Sequence, residues 1–264
     1  MAGNSTRQPG RSVVSKATSL LDAFSMTAPK LSLNELAQRT GLPLSTTYRL
    51  ASELVDWGGL ERADGAGYRI GLRLWEIGSL APRGATVRDV AVPFMQDLYA
   101  ATEENVHLAV LTGHEAFYME RITGRRAVQV KSRRGGRLPL HATGVGKVLL
   151  AHAPPGLFSE VVEAGLKRYT PYTIATPGRL HRALEEVRRT GVAYAREELT
   201  LGTLSVASPV FDATGTVVAA MAVVLNSVRA DLKRLAPAVR CAAISASRSL
   251  GQHPLAENDL VVVP

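Results

Sequence analysis

Residues 31–51 read Leu31-Ser32-Leu33-Asn34-Glu35-Leu36-Ala37-Gln38-Arg39-Thr40-Gly41-Leu42-Pro43-Leu44-Ser45-Thr46-Thr47-Tyr48-Arg49-Leu50-Ala51. Ser32 and Glu35 have the spacing of a capping box, in which the serine hydroxyl takes the amide of Glu35 and the carboxylate reaches back to the Ser32 amide. A helix therefore starts at Leu33, with Leu33, Leu36 and Ala37 as a short apolar stripe. Gly41 stands where a left-handed residue closes a helix, and Pro43 suits the start of the next. In that second helix Thr47, Leu50, Ala51 and Leu54 fall on one face, and Ser45, Thr46, Arg49 and Ser52 on the other. Two short helices across a tight glycine turn, the second polar at its start, have the form of a helix-turn-helix entering a major groove. Spacing alone also permits an ordinary helical hairpin.

The residues that follow favour DNA binding. Leu60-Glu61-Arg62 and Tyr68-Arg69-Ile70 are short alternating runs around Ala63-Asp64-Gly65-Ala66-Gly67, a hairpin with a flexible tip that reads as a wing. Arg62 and Arg69 on its strands are placed to reach phosphates, contacts that position a protein without reading sequence. The expected DNA contacts are Ser45, Thr46, Thr47, Tyr48 and Arg49 of the second helix, with Arg62 and Arg69 of the wing. Upstream, Ala17, Leu20, Leu21 and Phe24 are spaced as a supporting helix that Thr27-Ala28-Pro29 breaks.

The chain has 264 residues, is 46% hydrophobic and carries a net charge of +8, enough for two domains with cores and favourable to a polyanion. That charge is weak support for DNA binding, because residues 12–80 pair Lys16, Lys30, Arg39 and Arg49 with acids such as Asp22, Glu35, Glu53 and Asp56 and are near neutral. The lone cysteine, Cys241, excludes an internal disulfide and a multi-cysteine metal cluster. The sequence points to no cofactor, metal or catalytic residue. His107, His141 and Cys241 have the chemistry of a nucleophile and base, but nothing places them together. No apolar run is long enough to span a membrane and the N-terminus lacks a signal-peptide core, so a soluble cytoplasmic protein is expected.

Residues 1–11 are polar and read as disordered, 12–71 as the winged helix-turn-helix, 72–85 as a linker helix ending at Ala81-Pro82-Arg83-Gly84, 86–250 as a second domain and 251–264 as a tail. The second domain opens with a helix over Thr86–Thr102. Strands follow at Val106–Leu111 and Ala116–Ile122. Arg121–Arg137 holds seven basic residues and no acid, which suits a charge-protected hairpin edge better than a second nucleic-acid surface. Leu138-Pro139-Leu140-His141-Ala142-Thr143-Gly144-Val145-Gly146-Lys147 reads as a strand end, a glycine turn and a helix start. Its turn amides suit an anion, a close-packed corner is the other reading, and the pattern is not a Walker phosphate loop. Thr176-Pro177 starts a helix that Gly191 ends. Two strands, Ser205–Phe211 and Val217–Leu225, then bracket a glycine turn, the second apolar enough to be buried on both faces. A helix over Asp231–Leu250 closes the domain.

With these segments placed, the chain resembles the IclR family of bacterial transcriptional regulators from about Val13 to Leu250. The resemblance rests on Leu33–Ala37, Gly41–Leu50 and Gly67–Leu74 in the first domain. In the second it rests on Leu138–Lys147, Thr176–Gly191 and Ala207-Ser208-Pro209-Val210-Phe211-Asp212. It implies an α+β protein: an N-terminal winged helix-turn-helix joined by a linker helix to a GAF-like α/β effector-binding domain, assembled as a homodimer or dimer of dimers. It also implies a transcriptional regulator, a repressor or an activator, with double-stranded operator DNA and a small-molecule effector as partners. The implied effector positions are Leu138, Thr143, Gly144, Val145, Ala195, Thr203, Ser205, Ala222 and Val224. At Ala195, Ser205, Ala222 and Val224 the family more often has aspartate, cysteine and two serines. Since small acids need several fixed polar partners, an effector more apolar than the family's usual organic acids, or none, is expected.

Overall fold

The computed structural model describes residues 12–252 other than 26, 66, 81, 126, 127, 129, 130, 230 and 231. The disorder expected for residues 1–11 and the tail beyond residue 252 lie outside the described residues. The chain divides between residues 81 and 82 into two compact units.

The first unit comprises α1 (Val13–Asp22), β1 (Lys30–Ser32), α2 (Leu33–Thr40), α3 (Leu44–Asp56), β2 (Leu60–Ala63), β3 (Gly67–Ile70) and α4 (Leu72–Ser79). Both halves of the capping box form: the Glu35 amide donates to Ser32 Oγ, and Glu35 Oε2 accepts from the Ser32 amide at 2.8 Å. These bonds favour the carboxylate and hold the Glu35 pKa below its ordinary value. Gly41 closes α2 at φ 69°, a conformation that costs a residue with a Cβ about 1 kcal/mol or more. Leu20, Leu36, Leu50, Ala51, Leu60 and Tyr68 form the core of the unit. The wing includes a strand that the sequence reading lacks: β1 pairs with β3, giving the order β1-β3-β2. Three residues are too few to show alternation, so β1 is legible only through its partner.

The second unit comprises α5 (Pro82–Thr102), β4 (Asn105–Thr112), β5 (Glu115–Ile122), β6 (Arg137–Pro139), α6 (Gly144–Ala151), α7 (Leu157–Glu163), α8 (Pro177–Thr190), β7 (Ala193–Arg196), β8 (Thr203–Phe211), β9 (Val217–Asn226) and α9 (Leu232–Gln252). Two boundaries differ from expectation. Pro82, Arg83 and Gly84 are helical, because proline at a first helical position loses no hydrogen bond, so the expected break is not a loop. Residues 251 and 252 extend α9 rather than opening a tail. Thr176 precedes α8 as expected, yet its side chain makes no capping bond.

The sheet order is β6-β5-β4-β9-β8-β7, antiparallel throughout. The period-two geometry of a strand sends alternate side chains to opposite faces. On β9, Ala219, Met221, Val223 and Leu225 join the core that holds Met95 and Leu98 of α5 and Val239 and Ala246 of α9. Ala220 and Ala222 face the other way, into the core of α6 and α8. Ala109, Ala207, Ala220 and Ala222 are register neighbours, a floor of small side chains on which α6 lies with all eight of its residues buried. Gly144 belongs to that close approach, since a Cβ there would stand 2.5 Å from Ser205 Oγ.

Candidate DNA interface and effector pocket

The exposed surface of α3 carries Leu44, Ser45, Tyr48 and Arg49, with Thr46 half-buried. Thr47 is a correction. It is fully buried and its hydroxyl donates back to the Pro43 carbonyl at 3.1 Å, so it packs against the core and presents nothing outward. Ser52 departs from the expected polar face in a lesser way, with Oγ buried and unpaired. Arg49 is exposed and pairs with Glu53 one turn on, at 2.9 Å. Such exposed i,i+4 pairs are worth about 0.3–0.5 kcal/mol, so little opposes release of the guanidinium to a base edge or a phosphate.

On the wing, Arg62 lies over the Tyr68 ring at 5.4 Å, and Arg69 pairs with Glu61 at 2.8 Å. The other Glu61 oxygen accepts the Leu72 amide at 3.1 Å, tying β2 to the start of α4. The Leu72 amide first and Arg69 second keep the Glu61 carboxyl below its usual pKa. Lys30 donates to the Asp64 carbonyl at the hairpin tip. The wing is thus held by charged side chains from three elements, with both arginines on its exposed surface.

In the second unit a cavity of about 50 Å³ opens among β4, β5, β8, β9 and the turn before α6. Of the expected effector positions, Leu138, Thr143, Ala195, Thr203, Ser205 and Val224 line it. Gly144, Val145 and Ala222 do not: Val145 and Ala222 are packed between α6 and the sheet, and Gly144 backs onto Ser205 and Ala207. Leu138, Ala142, Ala195 and Val224 give apolar lining. Polar lining comes from residues outside the expected set as well, since His107, Tyr118, Ser132 and Glu198 also line the cavity. They come from β4, β5 and two loops, and no local motif marks them.

These groups are strongly conditioned by burial. Desolvation, reinforced by Arg121, lowers the His107 imidazole to about 3, so it is neutral at physiological pH and pairs with Ser132 Oγ at 3.1 Å. Burial raises the Tyr118 hydroxyl, which hydrogen-bonds Thr143, and the ring meets His107 edge-on at 5.5 Å. Thr143 also accepts the Gly146 amide and donates to the Pro139 carbonyl, both at 3.0 Å, which fixes the turn. Lys147, buried on α6, donates to Glu198 Oε1 and to the Tyr194 carbonyl, each at 2.6 Å. Burial lowers the Lys147 pKa and Glu198 opposes that shift.

Residues 81–249 match the family described as bacterial transcriptional regulator IclR C-terminal, and residues 13–64 match the IclR helix-turn-helix domain. The chain belongs to the IclR family. It is similar to the HTH-type transcriptional repressor AllR of Klebsiella pneumoniae, 33% identical over 260 residues that cover 95% of this chain and 94% of that protein. XynR, an HTH-type transcriptional regulator of Escherichia coli strain K12, is 32% identical over 243 residues, covering 90% and 96% respectively. Among solved structures, an IclR homologue from Microbacterium hydrocarbonoxydans complexed with 4-hydroxybenzoate superposes with a TM-score of 0.85 at 32% identity, covering 90% of this chain and 99% of that one.

This IclR-family chain is accordingly a transcriptional regulator with a DNA-binding head and an effector domain, and not an enzyme. The three residues weighed for catalysis have other surroundings. His107 faces Ser132, His141 Nε2 donates to the Lys167 carbonyl at 3.0 Å, and Cys241 is exposed on α9. No helix among the described residues is long and apolar enough to cross a membrane.

Proposed function

We propose that the protein is a repressor-type regulator that binds a pseudo-palindromic operator as a homodimer, or as a dimer of dimers, and releases it in response to a small molecule. The observation that carries the DNA reading is the exposed Ser45, Tyr48 and Arg49 surface of α3 standing over a closed core beside a pinned wing. Ser45, Thr46 and Arg49 lie near base edges in this reading, and Arg62 and Arg69 at phosphates. A second copy is supported by α4 and the residue that follows it, where Leu72, Trp75, Ile77 and Leu80 are 62%, 66%, 42% and 77% exposed. An apolar surface of that kind on a short helix calls for a cover. Operator selection from the source genome followed by fluorescence anisotropy tests the reading. Arg49→Ala should reduce specific affinity by about 1–3 kcal/mol and non-specific affinity much less; equal losses would make Arg49 a phosphate clamp.

The effector suggested by this pocket has an apolar body against Leu138, Ala195 and Val224 and polar functions toward Tyr118, Thr143 and Glu198. It is more apolar than glyoxylate- or pyruvate-sized acids, and calorimetry showing tight binding of those acids would overturn that description. The relative complexed with 4-hydroxybenzoate has a ligand of this amphipathic kind. The small size of the cavity, about 50 Å³, favours a second reading in which no effector binds. Under it, no metabolite in a panel would change operator affinity.

A further inference from the structure

Glu198 is the one acid among the residues lining the cavity, and its two oxygens differ. Oε1 accepts from Lys147 at 2.6 Å and from the Arg196 amide at 3.3 Å. Oε2 is buried without a partner, and the side chain as a whole is 7% exposed. An unsatisfied buried carboxylate oxygen is costly, and folded proteins keep such groups where something else completes them. The residue is also held firmly in place. Thr173 donates to the Glu198 carbonyl at 2.6 Å and Thr170 to the Glu197 carbonyl at 2.7 Å. Glu197 itself sits at φ 55°, the left-handed region that non-glycine residues seldom occupy. The loop is built to hold this carboxylate at the cavity wall.

We infer that Glu198 Oε2 is a recognition point for a neutral hydroxyl or N–H donor on the effector. A cation is the poorer fit, because Lys147 already balances the carboxylate and a second buried positive charge would be uncompensated. An effector carboxylate turned toward this wall is repelled, so in an amphipathic acid the hydroxyl faces Glu198 and the acid lies away from it. The inference rests on the effector reading given above and specifies one end of the ligand.

The test uses the full chain and two matched probe pairs that differ by one hydroxyl: 4-hydroxybenzoate and benzoate, phenol and benzene. Calorimetry should show at least one hydroxylated member binding roughly tenfold or more tighter than its partner, the size of one charge-assisted hydrogen bond. In the double variant Lys147→Met with Glu198→Leu, which removes both charges together, that ratio should fall to within about twofold. A ratio unchanged in the double variant would assign the preference to another group and overturn the inference. Should that variant not fold, a crystal structure of the wild-type complex decides: a ligand hydroxyl within hydrogen-bonding distance of Oε2 supports it, and one directed elsewhere overturns it. Benzoate shifting operator affinity as strongly as 4-hydroxybenzoate would sink the inference and leave the effector reading standing. Binding by none of the hydroxylated probes, with operator binding intact, would also sink it.

Discussion

The reading surface of α3 and the pocket beside α6 solve opposite problems. On α3 the functional side chains are exposed, and Arg49 is held by one weak pair that a ligand can displace. Around the cavity the functional groups are buried, and His107, Tyr118, Thr143 and Glu198 are each already hydrogen-bonded within the protein. The first arrangement suits a polyanion that brings its own charge and water. The second suits a small molecule that must be distinguished from close relatives, since unmatched buried polar groups penalise the wrong one. Removing a charge should therefore be a local event on α3 and a global one at the pocket.

The largest effect is expected from Lys147→Met, which strands the buried Glu198 carboxylate. Denaturant unfolding should show a loss of about 3–5 kcal/mol, and adding Glu198→Leu should restore most of it. A small loss for the single variant would mean the pocket is as loosely held as the α3 surface.

His107 sharpens the contrast through pH. Its folded pKa of about 3 lies below its ordinary value of 6.5, so the unfolded chain takes up a proton first as pH falls. The stability that this provides is fully present above about pH 6.5 and declines toward pH 3, by at most about 1.4 kcal/mol per pH unit. Unfolding followed across that range should show the slope in the second unit, and His107→Asn should flatten it. Glu35 acts at lower pH. Its folded pKa is depressed, so its contribution to α2 is present above the ordinary carboxylate range and lost as pH falls through the folded value.

The smaller effects belong to the head. Ser32→Ala removes the α2 cap and should cost about 1 kcal/mol of head stability. Glu53→Ala, which frees Arg49, should change stability by no more than about 0.5 kcal/mol. An operator affinity that Glu53→Ala leaves equal or raises agrees with a displaceable pair, whereas a large loss would make Glu53 part of the reading surface.

The same contrast governs what the sequence discloses. The head is written locally: a capping box, a glycine at C′ and a 3.6-residue stripe each lie within a dozen residues, so α2, the turn and α3 are legible. Thr47 shows the limit: the spacing puts it on the face of Leu50 and Ala51, yet its hydroxyl still suggests a DNA contact until the i−4 bond to Pro43 is seen. The pocket is written across the fold. Leu138, Thr143 and Ser205 are visible because they stand in recognisable stretches, while His107, Tyr118, Ser132 and Glu198 meet only when β4, β5 and the loops are assembled. The one available signal is a histidine inside the apolar run of β4, which more often means a satisfied core residue.

β9 also shapes how the family can change over time. Val224 lines the pocket, while Val223 and Leu225 beside it hold the core of α5 and α9. A mutation at Val224 can retune the ligand without disturbing the packing that Val223 and Leu225 maintain, whereas Ala220 and Ala222 on the ligand side of the strand are themselves packed under α6. Selection on specificity and selection on robustness therefore meet at adjacent codons of one strand, with Val224 free to change while its neighbours hold the fold.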